Sequence, residues 1–181
     1  NVPEYIFSNE LVILRDFCQR YDDVVAKAIS PINAVVRSEH EVLCLMTKSV
    51  TEEDIEKLGI DYLDSPLFLQ ERIPRRRDVR VTCIGKSLYA VAIDSGPGQV
   101  DSRDRWVTSH HEVIDIPLTI RDSIYDFLNT HKLRYASFDF ILSPDEKWWF
   151  LECNPNGQFL WIEERTGLPL ANIMAKLLIH G

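Results

Sequence analysis

Three oxygen-bearing side chains stand out in the second half of the sequence: Asp139, Glu152 and Asn154. Asp139 belongs to an apolar run that predicts a strand over 135–142. A second run, 147–153, contains two tryptophans after its first lysine. Glu152 lies near the end of this run, and Asn154 follows the run directly. A strand of this kind buries its apolar side chains, so the polar residues at its end indicate a site rather than a core.

The two runs predict an antiparallel hairpin. If residues 144–147 form its loop, Ser143 faces Trp148, and counting back along both strands makes Asp139 face Glu152. Facing residues of antiparallel strands have Cβ atoms roughly 4.5–5.5 Å apart on one face of the sheet. A register shift of one residue would instead turn Asp139 to the other face.

The expected chemistry follows from the charges. Asn154 lies two residues after Glu152, so strand alternation places it on the same face. Two carboxylates about 4 Å apart repel by about 4 kcal/mol at an effective dielectric constant of 20. A shared proton, a nearby arginine or a bound cation would offset the repulsion. The ligand set matches Mg²⁺ or Mn²⁺ rather than zinc, and Mg²⁺ usually joins carboxylates to phosphates, so a nucleotide is implied. The alternative is a strand that merely ends in polar residues.

Composition and charge exclude several classes of protein. The chain has 181 residues, 45% of them hydrophobic, and a net charge of −8, which predicts a soluble globular protein that does not bind nucleic acid. No stretch approaches the roughly 18 apolar residues of a membrane span, and no signal peptide is visible. The four cysteines form no C-x-x-C pair, which favours reduced thiols in the cytoplasm. Because the chain begins with Asn1, we expect it to be part of a longer protein.

A basic cluster interrupts this acidic composition. Its members are Arg72, Arg75, Arg76, Arg77 and Arg80. One interpretation is a solvated turn with a basic face, and the other is a binding site for a phosphorylated small molecule. The sequence leaves both open.

Signals for strands and helices alternate along the chain. Apolar periodicity predicts helices at about 10–20, 51–59, 120–128 and 169–179. Ser8 to Glu10 are expected to cap the first helix, and residues 51–54 resemble a capping box that opens the second. Short apolar runs predict further strands at 5–7, 24–27, 67–73, 79–84 and 88–93, and two runs within 34–48 predict a hairpin. Because most strand connections are short, the expected fold class is α+β with largely antiparallel sheets.

The polar stretch 94–111 predicts a loop. Its two histidines, His110 and His111, are expected to be solvated rather than to bind a metal. Trp161, beside Ile162, either lines a peptide groove or packs at a domain interface.

Four stretches together resemble the ATP-grasp ligases: VVAKAI (24–29), QERIPRRRDVRVTCIG (70–85), SFDFILSPDEKWWFLECNPNGQF (137–159) and TGLPLANIMAKLL (166–178). Within that family the chain is most similar to the maturases of graspetides, which are ribosomally made peptides of the microviridin type. The ribosomal-protein glutamate ligases are less similar. The resemblance implies two α+β lobes: residues 1–73, with a hinge at 70–73, and residues 74–181, which carry the metal site. We expect the N-terminal domain of the family to be absent.

The resemblance also implies roles for individual residues. Lys27 resembles a lysine that contacts the ATP phosphates, and Arg80 resembles an arginine directed at phosphates or at the acidic substrate, so both are candidate catalytic residues. The hinge that contacts adenine is matched by Gln70, Glu71, Arg72 and Ile73. Asp78 matches an acidic residue near the ribose. The magnesium ligands are matched by Asp139, Glu152 and Asn154, and Asn154 is also expected to contact the nucleotide.

The sequence departs from the family in two places. The stretch 30–42 has no glycine, whereas many relatives have a glycine-rich loop over the phosphates. Related maturases often have a V-D-W-R-like stretch that is spaced differently from VDSRDRW (100–106), which leaves open whether Arg103 or Arg105 contacts the substrate.

The implied activity is an ATP- and magnesium-dependent carboxylate ligase, with manganese as an alternative metal. It would form an acyl phosphate and then ester or amide cross-links in an acidic, Glu- or Asp-containing precursor peptide. The alternatives are a ligase that adds glutamate or another amino acid, and a nucleotide- or peptide-binding module that is inactive as this piece of chain. The oligomeric state is left open, with a homo-oligomer as one possibility.

Overall fold

A computed structural model describes residues 1–27, 34–38, 41–44, 47–58, 62–94 and 109–180. These residues form two compact units. The N-terminal unit contains the described residues of Pro3–Ile73. The C-terminal unit contains residues 1–2, 74–94 and 109–180.

The N-terminal unit contains two antiparallel sheets and two helices. Its elements are β1 (Tyr5–Glu10), α1 (Leu11–Arg20), β2 (Val24–Lys27), β3 (Ala34–Ser38), β4 (Glu41–Cys44), β5 (Lys48–Val50), α2 (Glu52–Glu56) and β6 (Tyr62–Glu71). One sheet has the order β1-β6-β2-β5, and β3 pairs with β4 in the predicted hairpin. Leu14 and Phe17 of α1 pack with Val24, Ile55 and Leu69 in its core.

The capping signals of this unit had different outcomes. The capping box of α2 is confirmed, because Asp54 N–H donates to Thr51 Oγ1 at 3.2 Å and Thr51 N–H donates to Asp54 Oδ2 at 3.0 Å. The predicted cap of α1 is wrong. The Ser8 hydroxyl accepts the Glu10 N–H at 3.0 Å within β1, and α1 begins at Leu11 without a side-chain cap.

The C-terminal unit is one antiparallel sheet with three helices. Its elements are β7 (Arg77–Ile84), β8 (Ser87–Asp94), β9 (His111–Ile114), α3 (Leu118–His131), β10 (Tyr135–Leu142), β11 (Trp148–Asn154), α4 (Leu160–Thr166) and α5 (Leu170–His180). The strand order is β11-β10-β7-β8-β9. Neither β9 nor α4 is predicted from the sequence.

The two faces of this sheet pack differently. On one face, Val79, Val81 and Phe138 pack with Ile124 and Leu128 of α3 in an apolar cluster. Because strand side chains alternate, the intervening residues point to the other face. There, a second apolar cluster joins the sheet to α4 and α5 and contains Ile84, Val91, Ile162 and Leu170. The remainder of that face is polar.

The hairpin between β10 and β11 has a shorter loop than predicted. Ser143 N–H donates to Lys147 O at 3.0 Å, which leaves three residues in the loop, and the last of them, Glu146, has a φ of +62°. A three-residue hairpin loop commonly ends in such a left-handed residue. Leu142 therefore faces Trp148, and the predicted pairing of Ser143 with Trp148 is wrong.

An unpaired residue in β11 compensates for this shift. Phe140 faces Phe150, whereas Asp139 faces Glu152, so Leu151 forms a β-bulge. The two shifts of one residue cancel beyond the bulge. The predicted pairing of Asp139 with Glu152 is confirmed, although the loop from which it was derived is not.

The fold class is α+β, and every strand pair described is antiparallel, as predicted. None of the helices in the described part of the chain is long and apolar enough to cross a membrane.

The C-terminal end of α3 provides a test of backbone strain. Lys132 follows the last helical residue with φ 54° and ψ 36°, a left-handed conformation that favours glycine. We expect Lys132→Gly to raise the free energy of unfolding by about 0.5–1 kcal/mol, measured by urea denaturation. Lys132→Ala, which keeps the Cβ atom, is the control. Equal stability of the two variants would contradict the assigned strain.

Candidate functional site

Polar side chains occupy the centre of the C-terminal sheet, on the face opposite α3. We call this surface the polar face. Two cross-strand rows define it: Arg80, Asp139 and Glu152, and next to them Thr82, Ser137 and Asn154. The three predicted metal ligands therefore lie on one face, in adjacent rows of neighbouring strands. Arg80 lies in the first row, and Asp78 is two residues before it on β7.

Arg80 holds Asp139 with two charge-assisted hydrogen bonds. Its Nε donates to Oδ1 and its Nη2 donates to Oδ2, both at 2.7 Å. The Arg80 side chain is only 8% exposed and that of Asp139 is 18% exposed. This geometry combines a planar fork with partial burial, which makes the pair specific in orientation.

The ion pair between Arg80 and Asp139 offsets part of the repulsion that the sequence predicts between Asp139 and Glu152. A shared proton, an arginine or a cation could offset the repulsion between Asp139 and Glu152. The structure shows the arginine, because Arg80 contacts Asp139. Glu152 is exposed, so water screens its charge. The negative charge of Asp139 is therefore balanced by Arg80. A cation bound at Asp139 would join this existing ion pair.

The turn after β11 fixes Asn154. Its side-chain oxygen accepts the Asn156 N–H at 2.9 Å, and its backbone oxygen accepts the Gly157 N–H at 3.3 Å. Gly157 lies directly against Ser137: a Cβ atom on Gly157 would be 2.5 Å from Ser137 Oγ and 2.6 Å from Ser137 Cβ. Tyr135 donates its hydroxyl hydrogen to the Gly157 carbonyl oxygen. The turn is thus closely fitted to β10.

Buried polar atoms without hydrogen bonds concentrate at this surface. Among the described residues of the C-terminal unit they are Arg75 Nη1, Thr82 Oγ1, His111 Nε2, Ser137 Oγ and Trp149 Nε1. Thr82 and Ser137 belong to the second row, and Arg75 contacts Asp78 on the same face. Because buried polar atoms are normally satisfied, this concentration favours a polar ligand or ordered water at the polar face.

Two aromatic residues complete the site. Trp161 of α4 lies over Arg80, whose Cζ atom is 5.7 Å from the centre of the indole ring. His111 of β9 packs against the same ring, with ring centres 5.6 Å apart at 65°. The expectation that His111 is solvated is wrong, because β9 places it in the sheet, where it is only partly exposed; His110 is exposed beside Asp94.

Little in the sequence indicates these contacts. His111 lies at the end of a long polar stretch, and a strand of four residues is too short to show clear alternation. The apolar residues at 160, 161 and 162 are a sign of α4, but three residues make less than one helical turn and do not predict a helix by themselves.

The cysteines behave as core residues. Cys18, Cys83 and Cys153 carry free thiols, and the side chain of Cys44 lies outside the description. Burial raises the pKa of Cys83 to about 11. Burial, and then the charges of Asp139 and Glu152, raise the pKa of Cys153. These thiols stay protonated at neutral pH, so they are poor nucleophiles.

All five arginines of the basic cluster contact carboxylates. The pairs are Arg72 with Asp23, Arg75 with Asp78, Arg76 with Glu146, Arg77 with Asp94 and Glu112, and Arg80 with Asp139. This pairing favours a structural role for most of the cluster over a shared phosphate site. Asp78, the candidate ribose contact, is buried and lies 3.3 Å from Arg75 Nε.

The other predicted nucleotide contacts lie in the N-terminal unit. Lys27 is the last residue of β2. Gln70 and Ile73 are buried. The Glu71 side chain accepts a backbone N–H at 3.3 Å, and the Arg72 N–H donates to a backbone oxygen at 2.9 Å. Their roles toward a nucleotide stay predictions.

Some predictions fall outside the described residues. Arg103 and Arg105, the alternative substrate contacts, lie there with most of the predicted loop 94–111. The stretch 30–42 is described only through the backbone of β3 and part of β4.

The donor set of the polar face fits a hard cation. In the part of the chain that the structure describes, no group of three or more His, Cys, Asp and Glu side chains could hold a metal ion. The predicted set instead combines the carboxylates of Asp139 and Glu152 with the amide oxygen of Asn154. Mg²⁺ is commonly bound by one or two carboxylates with phosphate and water oxygens, so two carboxylates and an amide on one face suit it.

Solved structures match nearly the whole chain. Macrocyclase MdnC from Microcystis aeruginosa MRC, bound with precursor peptide MdnA, is 28% identical with a TM-score of 0.85; the match covers 99% of this chain and 55% of that one. A RiPP-associated ATP-grasp ligase from Chryseobacterium gregarium, in complex with ADP and a leader and core peptide, is 24% identical with a TM-score of 0.86, covering 98% and 54%. ATP-grasp ligase PsnB, complexed with a phosphomimetic variant of minimal precursor, Mg and ADP, is 21% identical with a TM-score of 0.69, covering 98% and 54%.

No family model matches the sequence, and no curated protein matches it. The solved structures nevertheless define the class: the chain has the ATP-grasp fold. They also confirm the resemblance to the ATP-grasp ligases that are associated with ribosomally made peptides. The chain spans about half the length of these proteins.

The contact between Gly157 and Ser137 yields a stability prediction. Gly157→Ala places a methyl group against Ser137, so we expect a loss of about 1–3 kcal/mol in the free energy of unfolding. Adding Ser137→Gly removes both clashing atoms and should recover part of this loss. Urea denaturation of the four proteins in this double-mutant cycle measures the coupling. Strictly additive losses would show that the two residues do not clash.

His111 yields a prediction about pH. Burial, its largest influence, lowers the pKa of His111 below the usual value of 6.5. The unfolded state then takes up a proton more readily than the folded state, so the stability of the wild type should fall as the pH drops through 6.5. Urea denaturation between pH 8 and pH 5 measures this decline, which should be smaller in His111→Gln. His110→Gln is the control and should show the same decline in stability as the wild type, since His111 is still present.

Proposed function

We propose that the chain is the ATP-binding part of an ATP- and magnesium-dependent ligase that forms bonds in a precursor peptide. The observation that carries the proposal is the first row of the polar face, in which Arg80 orients Asp139 directly opposite Glu152. An ATP-grasp fold with paired carboxylates beside an arginine suits transfer of a phosphoryl group.

The similar proteins support the choice of substrates. MdnC is bound with a precursor peptide, and the Chryseobacterium ligase is in complex with ADP and peptide. PsnB is complexed with Mg and ADP as well as with a phosphomimetic variant of minimal precursor. By this similarity we propose that the full-length protein uses ATP, Mg²⁺ and a precursor peptide. The acidic character of that peptide stays a prediction. Use of Mn²⁺, a homo-oligomeric state and a cytoplasmic location stay predictions.

The proposed chemistry has two steps. A side-chain carboxylate of the peptide attacks the γ-phosphorus of ATP, the bond to the β–γ bridging oxygen breaks, and ADP leaves. A hydroxyl or amine of the same peptide then attacks the acyl carbon of the acyl phosphate and loses its proton, and inorganic phosphate leaves. ATP is thus converted to ADP and phosphate, while the peptide loses the elements of one water for each ester or amide formed.

The residues of this chain would act by position and charge. Asp139, Glu152 and Asn154 would hold Mg²⁺, which neutralises phosphate charge when bound. Arg80 would keep Asp139 in the required orientation. Lys27 would contact the phosphates, so that attacking and leaving oxygens are held in line. Residues 70–73 and Asp78 would bind adenine and ribose. None of these roles requires a covalent bond to the protein.

The activity is tested with the full-length protein, ATP, Mg²⁺ and a peptide that contains Thr, Ser or Lys together with Glu or Asp. We expect ADP and a peptide that is lighter by one water per bond, detected by mass spectrometry. A product heavier by an amino acid would instead identify an amino-acid ligase. Nucleotide binding without ADP formation, across a panel of peptides, would identify a binding module.

The site assignment is tested in the same assay. Asp139→Asn and Glu152→Gln each remove one charge from the polar face and should lower turnover by about 100-fold, because phosphate charge is no longer neutralised. Asp122→Asn, an equivalent change on the exposed side of α3, is the control. Thermal unfolding of each variant verifies the fold. Undiminished turnover in both site variants would contradict the assignment.

A further inference from the structure

Arg80 is held from a second direction by an aromatic ring. Its Cζ atom lies 5.7 Å from the centre of the Trp161 indole. A guanidinium within about 6 Å of an indole face is attracted to the electrons of the ring, and the attraction grows when water is excluded. The Arg80 side chain is 8% exposed, so this contact is largely shielded.

The Trp161 ring is itself fixed. Its Nε1 donates to the Gln158 backbone oxygen at 3.1 Å, which ties the ring to the segment before α4. His111 packs on the ring from β9, with ring centres 5.6 Å apart. Trp161 also belongs to the apolar cluster that contains Ile162 and Leu170. Three separate contacts therefore hold the indole ring over Arg80.

The two contacts of Arg80 fix different degrees of freedom. The two hydrogen bonds to Asp139 set the direction of the guanidinium within its plane. An aromatic neighbour restricts the remaining rotation about the side-chain torsions. Because Asp139 accepts both bonds from one planar group, a rotation of Arg80 either breaks these bonds or turns the carboxylate that faces Glu152.

We propose that Trp161 is a positioning residue that holds the Arg80 guanidinium on Asp139 and thereby sets the orientation of that carboxylate. The proposal rests on the proposed function for its effect on turnover, but not for its effect on Arg80. Trp161 need not touch the substrate. Its role extends the site from the sheet to α4, and His111 supports it by packing on the same ring.

The direct test measures Arg80 without any substrate. The Nε–H of Arg80 donates to Asp139, so its exchange with water, followed by NMR, reports how often that bond opens. We expect Trp161→Leu to accelerate this exchange by about 10-fold or more. Trp161→Phe keeps an aromatic face and should change it less. Leu160→Ala, on the exposed side of the same helix turn, is the control.

Backbone amides of β10 serve as an internal reference, because a general loss of stability would accelerate their exchange too. Faster exchange at Arg80 with unchanged β10 amides supports the proposal. Unchanged exchange at Arg80 in Trp161→Leu overturns it. Parallel acceleration at Arg80 and in β10 in both Trp161 variants also overturns it, since the role of the residue would then be general stability.

The second readout is kinetic and uses the full-length protein. A misdirected carboxylate should lower kcat by about 10-fold or more in Trp161→Leu while the KM for ATP changes by less than about 3-fold. Trp161→Phe should restore most of kcat. Equal losses in the two variants would overturn the proposal. If the wild type forms no ADP, the proposed function fails, and the exchange measurement alone decides the role of Trp161.

Discussion

The ion pair between Arg80 and Asp139 is the interaction on which the polar face depends. It joins two central strands of the sheet, β7 and β10, where both partners are largely shielded from water. Removing one partner of such a pair typically costs about 3–5 kcal/mol, because the other charge is left without compensation. The pair therefore requires that β7 and β10 keep their register. Glu152 faces Asp139 through the separate pairing of β10 with β11.

The C-terminal sheet separates stability from chemistry by its two faces. The face toward α3 contains an apolar cluster that includes Val81, Phe138 and Leu128, and it needs no ligand to be satisfied. The opposite face carries charges and buried polar atoms that the described residues leave without hydrogen bonds. A sheet can support such a face because the other one is well packed, and a polar ligand or ordered water would satisfy these groups.

Local patterns allowed much of this arrangement to be predicted. Alternation and short connections predict the antiparallel α+β class, and the spacing of Thr51 and Asp54 predicts the capping box that the structure contains. The sequence also predicts that Asp139 faces Glu152. The predicted loop is one residue too long, and the bulge at Leu151, which is not predicted, offsets that difference. Neither the left-handed conformation of Glu146 nor the bulge at Leu151 has a glycine to mark it, so hydrophobic patterns could not reveal them.

Contacts between distant parts of the chain could not be predicted from local sequence patterns. Arg80 and Asp139 are separated by 59 positions, and their pairing depends on β7 lying beside β10, which no local pattern specifies. The same holds for Trp161 and His111, whose rings meet only because α4 packs against β9. Short elements of this kind bury few residues of their own, and tertiary packing decides whether they form.

The unpaired Leu151 has a consequence for how the hairpin can vary among relatives. It divides the hairpin into an outer part, near the loop, and an inner part, near the carboxylates, whose alignments differ by one residue. A relative that gains one residue in the loop and loses the bulge would restore the same inner alignment. Insertions and deletions at the exposed tip can therefore be absorbed before they reach Asp139 and Glu152, which frees the tip to diverge while the inner part is retained.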